Sequence, residues 1–278
     1  MSQDHVSQFH SDGYAVIRGV FDADEVAALA AAFDRIQADA LARGRSWRHN
    51  NIFYRLAEDA ALGRIVRYAQ WAAWIDETLE RTRRDKRLLD ILEPLIGRDV
   101  KQIINQLHWK PPGAAMAEFG FHQDSRSRHP RSAYRDLAVS YIQTGIAIDP
   151  HGAANGAMVL CPRSHLLGEL PYDRDRPSMD VNMNPDDLQR FGVNPDDAVT
   201  VDMAPGDVAL WHVHMLHGSG PNSSKIDRRF YINGYVIADN CDRGEWAFRN
   251  GAPCPLEGDP ALVHYEDLHS KPGPMYVD

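Results

Sequence analysis

Cysteine is scarce in this chain. Its three residues, Cys161, Cys241 and Cys254, are odd in number and far apart. That argues against a disulfide framework and for a reduced, cytoplasmic setting. No two of them form a C-x-x-C pair, so a thiolate zinc site is not expected. Long apolar runs are missing too: nothing approaches the roughly 18 to 20 residues that a membrane helix needs. The opening segment MSQDHVSQFHSDGY is polar and partly acidic, unlike a secretory leader. Positive charge is in deficit, with 30 Lys and Arg against 39 Asp and Glu and a net charge of −9. A general affinity for nucleic acid or anionic lipid is therefore not expected. Internal repeats and low-complexity tracts are absent as well. What remains is an ordinary globular composition, 44% hydrophobic and 25% charged over 278 residues. It reads as an ordinary soluble globular protein. A small-molecule substrate and a monomer or homodimer are expected, although composition itself sets neither.

The texture of the chain changes once. GYAVIRGVF, from Gly13 to Phe21, reads as a short strand. A helix follows from Asp22, with Glu25 three residues on as a capping box. Val26, Leu29, Ala30, Phe33 and Ile36 give that helix one apolar face. Asp59 to Arg83 is read as a second helical region, and DKRLLDILEPLIG as a third that stops at Gly97. From Val100 onward, short strand-like runs alternate with turn sequences such as PPG, APGD and GSGPNSS. Several strands at this spacing predict a sandwich or barrel. The polar insertion from Asp173 to Asp197 is read as a long loop and a candidate lid. The expected layout is a single domain over residues 1–278. It has a helix-rich part at 1–98, a β core at 99–240 and a C-terminal extension at 241–278.

The chemistry centres on EFGFHQDSRSRHP, Glu118 to Pro130. Residues two apart on a strand share a face, so His122 and Asp124 can aim an imidazole and a carboxylate at one point if the backbone stays extended there. A third ligand is offered by GDVALWHVHMLHGSG, which contains His212, His214 and His217. Two histidines and one carboxylate make the facial triad of non-haem Fe(II) oxygenases, which leaves coordination positions open. Zinc could use the same side chains. An oxygenase of this kind also needs a 2-oxo acid, held at its far carboxylate. A guanidinium suits that task through bidentate hydrogen bonds. Arg228 follows His217 by 11 residues, and Ser219 offers a hydroxyl on the same turn.

These motifs together resemble the phytanoyl-CoA dioxygenase family of Fe(II)- and 2-oxoglutarate-dependent oxygenases. The resemblance rests on DGYAVIRGVFDADEVAAL, KPPG, H-Q-D, the Asn155-Gly156 pair followed by CPRSH, APGDVALWH, and H-G-S-G-x-N with its arginine. It spans about Phe9 to Ile237. It implies a mainly β fold with flanking helices: a double-stranded β-helix, also called a jelly roll or cupin-like barrel. It further implies that His122, Asp124 and His217 hold Fe(II), and that Arg228 and Ser219 hold 2-oxoglutarate. O2 is the oxidant in such enzymes, and succinate and CO2 are released as an unactivated C–H bond is hydroxylated. Gln106 or His108, before KPPG, and Gln143, before the Asn-Gly pair, are further candidates for the co-substrate site. Relatives that halogenate lack the carboxylate, so Asp124 favours hydroxylation or desaturation.

Plainer readings stand beside these. His212 and His214 could replace His217 as the ligand, or could simply pack in the barrel wall. His165 reads as a structural hydrogen-bonding group, and Trp109 and Trp211 as packing. Arg126, Arg128, Arg131 and Arg135 read first as a solvated loop. The alternative places Arg126 and Arg128 at the mouth of the site, facing an anionic substrate. A metal-binding protein without turnover and a zinc-dependent hydrolase remain alternative functions.

Overall fold

The structure is a computed structural model that describes residues 4–114, 118–171, 185–260 and 274–277. Helix α1 (Asp4–Asp12) leads into strand β1 (Tyr14–Ile17) and helix α2 (Ala23–Arg43). The capping box at the start of α2 is formed. The Asp22 carboxylate accepts from the Glu25 backbone N–H, and the Glu25 carboxylate accepts from that of Asp22, each at 2.9 Å. Val26, Leu29, Ala32, Phe33, Ile36 and Ala40 are its buried face. Phe33 meets the ring of Trp109 edge-on at 5.1 Å, so Trp109 is packing, as expected.

The region from Asp59 to Arg83 corrects the sequence reading. It is not one helix. Residues 47–70 form three strands, β2 (Trp47–His49), β3 (Ile52–Asp59) and β4 (Gly63–Gln70); a 3-10 turn at Ala72–Trp74 follows, and only Glu77–Arg83 is α-helical (α3). Leu62, Ile65, Val66 and Ala69 happen to fall at helical spacing. The turn defeats that pattern: the Asp59 carboxylate accepts from Ala61 N and Leu62 N at 2.9 and 3.1 Å. Gly63 then takes a left-handed φ of 70°. The returning strand pairs with a neighbour, with Tyr68 opposite His108 and Gln70 opposite Gln106. Helix α4 (Lys86–Ile96) follows and buries Leu88, Leu89, Ile91, Leu92 and Ile96.

The next strands are β5 (Val100–Lys110), β6 (Phe119–His122), β7 (Tyr141–Ala147), β8 (Met158–Leu160), β9 (Val199–Thr200), β10 (Val208–His212), β11 (His217–Ser219) and β12 (Arg228–Ile237), and three short ones follow, at Glu245–Arg249, Ala252–Pro253 and Met275–Tyr276. The large sheet runs β1-β10-β7-β12-β5-β4-β3-β2, and the small one β6-β11-β8-β9. All their pairings are antiparallel. This is the jelly roll, with α2, α3 and α4 on the outer face of the large sheet. The main core lies between those helices and that sheet. A second cluster, including Met158, Leu160, Trp211 and Phe230, joins the two sheets. Part of the insertion expected to be a lid, residues 173–184, lies outside the described residues. Its end is a short helix, Pro185–Arg190, whose Leu188 is buried with Cys161 and Leu216. No helix among the described residues is long and apolar enough to cross a membrane.

Candidate active site

β6 and β11 are neighbours in the small sheet, and His122 is directly opposite His217. Their rings lie 4.3 Å apart, centroid to centroid. The backbone stays extended through Gln123 (φ −110°, ψ 137°) before a 3-10 turn begins at Asp124. The two-residue spacing therefore works as the sequence reading required. Gln123 points the other way and locks the segment. Its amide donates to His214 O and Gly168 O at 2.7 and 2.9 Å, and its carbonyl accepts from Leu170 N at 2.8 Å.

Each histidine is oriented by its own backbone. His122 Nδ1 meets Gly120 O at 2.8 Å, and His217 Nδ1 meets Met215 O at 2.9 Å. A carbonyl can only accept, so both Nδ1 atoms carry the proton and both Nε2 lone pairs face the cavity. The ligand atoms of His122, Asp124 and His217 all lie within 4.8 Å of one another. Burial first, and then His217, hold His122 down to a pKa of about 3, so it is a neutral donor at neutral pH. Burial alone would raise Asp124, but His217, His122 and Arg128 outweigh it and keep the carboxylate ionised. Asp124 Oδ2 also accepts from Trp211 Nε1 at 3.0 Å. Trp211 is thus packing and more: it fixes a carboxylate. Two imidazoles and an aspartate on one side of a cavity fit a divalent cation and leave its other side open.

His212 and His214 do not join them. His212 Nε2 meets Ala138 O at 2.7 Å, and its Nδ1 accepts from His214 N at 3.0 Å. His165 bonds to His10 O at 3.3 Å, a structural role.

A cavity of about 260 Å³ opens in front of the three ligands. Gln106, His108, Gln143, Ser219, Arg228, Arg126 and Arg128 all line it, so every site residue expected from the sequence reaches one chamber. Strand register explains most of this convergence. Along β12, Arg228, Phe230 and Ile232 alternate onto the cavity face, opposite Lys110, His108 and Gln106 of β5. Arg228 is buried and donates to Gly156 O at 2.8 Å, while its Nε has no partner among the described residues. Gly156, of the Asn-Gly pair, has φ 69°, and a Cβ there would sit 2.5 Å from Gly220 O. Only glycine lets this carbonyl reach the guanidinium.

Lys110 is the residue the sequence reading passed over. Its Nζ donates to Ser219 Oγ at 2.8 Å and to Gly220 O. Burial, and then repulsion from Arg228, push its pKa down to about 6. Burial also lowers Arg228, to about 10, which leaves it charged. Arg228, with no ion-paired carboxylate of its own among the described residues, makes one end of the cavity ready for an anion, and Lys110 behind it fixes the Ser219 hydroxyl. The signal was available, since Lys110 stands in the KPPG motif two residues past His108.

Arg126 and Arg128 are buried, not solvated. Arg131 and Arg135 do behave as a surface loop, pairing with Glu169 and Asp242.

Three more buried histidines predict an acid sensitivity. Burial holds His108 and His151 at about 3 and His212 at about 4, against 6.5 when exposed. Below pH 6.5 the unfolded chain takes up protons that the folded one refuses, so stability present above 6.5 is lost as pH falls. Each histidine costs about 1.4 kcal/mol per pH unit in that window, or roughly 2 kcal/mol by pH 5. Urea unfolding of the metal-free protein at pH 7 and pH 5 should show a marked fall in midpoint. Equal midpoints would contradict it.

Comparison with known proteins agrees with this geometry. The sequence model of the phytanoyl-CoA dioxygenase family matches residues 9–230. A probable alpha-ketoglutarate-dependent hypophosphite dioxygenase of Stutzerimonas stutzeri is 25% identical, over 84% of this chain and 77% of its own. An ectoine dioxygenase of Sphingopyxis alaskensis is 26% identical, over 96% and 86%. The crystal structure of EctD from S. alaskensis with 2-oxoglutarate and 5-hydroxyectoine superposes with a TM-score of 0.66 at 21% identity, covering 92% of this chain and 88% of that one. The fold is therefore the double-stranded β-helix of these enzymes, and the chain belongs to the phytanoyl-CoA dioxygenase family.

Proposed function

We propose that this protein is an Fe(II)- and 2-oxoglutarate-dependent dioxygenase that hydroxylates an unactivated C–H bond of a small metabolite or natural-product intermediate. The observation that carries the reading is the convergence of His122, Asp124 and His217 within 4.8 Å, in a cavity ended by the buried Arg228. His122, Asp124 and His217 hold the iron. Arg228 takes the far carboxylate of 2-oxoglutarate, with Ser219 beside it and Lys110 holding the Ser219 hydroxyl in place. Gln106 and His108 form the adjoining wall, held to each other at 3.1 Å. Bound iron, with 2-oxoglutarate and O2, supplies the oxidising power, and succinate and CO2 are the by-products.

The chain's own work is positioning and exclusion. The Nδ1–H groups stay hydrogen-bonded to the Gly120 and Met215 carbonyls, so neither histidine need change tautomer when it ligates. Phe230 and Ile232 give the middle of the cavity an apolar lining. The relatives' names speak of hypophosphite and ectoine, which supports a compact substrate. A zinc hydrolase would have no use for a buried arginine beyond its last ligand.

The test is succinate formation. Protein stripped by a chelator should be silent, Fe(II) should restore 2-oxoglutarate decay, and Zn(II) should not. If 2-oxoglutarate neither binds nor decays in the presence of Fe(II), the reading fails. If it binds without decay under any small metabolite supplied, the chain is a binding protein on the same scaffold.

A further inference from the structure

On the reading above 2-oxoglutarate takes the Arg228 end of the cavity, and a second buried arginine, Arg128, lines it too. On β12, Arg228 and Gly234 are six residues apart, or about 20 Å of strand. At the Gly234 end stand Tyr141 and Gln143 of β7. Gln143 is opposite Gly234 in the register. A Cβ on Gly234 would lie 2.2 Å from Tyr141 Oη and 2.6 Å from Gln143 Oε1, so glycine is what lets these groups fill that corner. Arg128 reaches the same corner. Its Nη2 donates to Tyr141 Oη at 3.1 Å, its guanidinium carbon lies 5.1 Å from the centre of the Tyr141 ring, and Tyr141 in turn donates to Gln143 Oε1. Arg128 is 6% exposed, and its Nε has no hydrogen-bond partner among the described residues. Tyr141 therefore fixes the plane of a buried guanidinium with a donor still unused.

Charge decides what that donor meets. Asp124 is the sole carboxylate among the described residues lining the cavity, and it is committed to the metal. A ferrous ion, Asp124, doubly charged 2-oxoglutarate and Arg228 together cancel. The Arg128 charge has no counter-ion of its own in that sum, and an anion at its unused N–H would supply one. Arg126 and Arg48 line the cavity as well. About 260 Å³ must hold both co-substrate and substrate, below the usual range of roughly 300 to 1,000 Å³ for ligand pockets.

We infer that the primary substrate is a compact oxyanion whose head group, a carboxylate or a phosphorus oxyacid, is bound by Arg128 at the Gly234 end of the cavity, across the metal from Arg228. The inference rests on the oxygenase reading above and names the substrate class for that site. A guanidinium binds either head group in bidentate fashion, and a lysine does not reproduce that geometry.

The experiment uses the full chain loaded with Fe(II) and saturating 2-oxoglutarate under nitrogen. Propionate, methylphosphonate and the neutral propionamide are titrated in, and heats of binding and the visible absorption of the iron–oxo-acid chelate are recorded. At least one anion should bind about tenfold or more tighter than the amide while the chelate absorption persists, and which anion it is separates the two head groups. Arg128→Gln should weaken that binding by about tenfold or more, with Arg128→Lys in between. Melting curves establish that the variants fold, and the anion–amide comparison in the unaltered protein does not depend on them. Equal binding of amide and anions, loss of the chelate on adding anion, or full-strength binding by Arg128→Gln each overturns the inference. Absence of any chelate with Fe(II) and 2-oxoglutarate overturns instead the oxygenase reading beneath it.

Discussion

Alanine at position 124 is expected to abolish iron-dependent turnover, by more than about a thousandfold, with the fold intact. Asp124 supplies the only anionic donor among the three ligands, so its loss removes a coordination bond and the charge that offsets the cation. Losing a residue that merely orients a ligand typically costs 10- to 100-fold in metal affinity or activity. Loss of the ligand itself must exceed that. Trp211 offers the graded comparison. Its indole donates to Asp124 Oδ2 at 3.0 Å and its ring stacks near Phe230, with centroids 6.1 Å apart. Trp211→Phe keeps most of the packing and deletes the donor, so iron affinity should fall by about 10- to 100-fold while the carboxylate remains. Calorimetric titration of Fe(II) into metal-free protein, run beside a succinate assay, reads both effects. An Asp124→Ala variant that binds one equivalent of iron with unchanged affinity would remove Asp124 from the site. A Trp211→Phe variant indistinguishable from the unaltered protein would reduce Trp211 to packing.

The difference between these two residues is also the difference between what a sequence carries and what it hides. His122 and Asp124 were readable because strand periodicity is local: two residues apart means one face, and only an extended Gln123 is required. His217 was separable from His212 and His214 by the turn that follows it, and the register of β11 on β6 puts it opposite His122. Trp211 acts on Asp124 across 87 residues of chain, through a fold that no local pattern encodes. Lys110 is similar: its partners Ser219 and Gly220 lie 109 and 110 residues away, although its strand face was predictable. The helix expected from Asp59 to Arg83 failed for the opposite reason. Its apolar spacing was a real local signal, but the edge of β5 offered a ladder, and tertiary pairing overrode the spacing. Arg126 and Arg128 were half legible. Their charge was plain in SRSRHP, but only the packing shows both of them buried against the cavity.

Arg228 brings the second large expected effect, and here stability and function should part. The guanidinium is 4% exposed, bonds to one carbonyl, and has no carboxylate partner among the described residues. Removing one member of a buried charge pair costs 2 to 5 kcal/mol in binding. At the lower bound of about 2 kcal/mol, Arg228→Ala should raise the concentration of 2-oxoglutarate needed for half-maximal turnover roughly 30-fold. Arg228→Met tests the energetic side with similar bulk and no charge. A buried cation awaiting its anion is a cost to the empty protein, and replacing such groups by apolar ones is often neutral or stabilising. The melting temperature of the empty Arg228→Met protein should therefore stay level or rise. Ligand at 100 times its dissociation constant stabilises a protein by about 2.7 kcal/mol, which for a chain of this size is a shift of about 5 °C or more. The iron-loaded original protein should show that shift with 2-oxoglutarate, and the Arg228→Met protein should show almost none. A variant that melts lower when empty yet gains the full shift would place the co-substrate carboxylate elsewhere, because the arginine would then be acting as packing and not as its anchor.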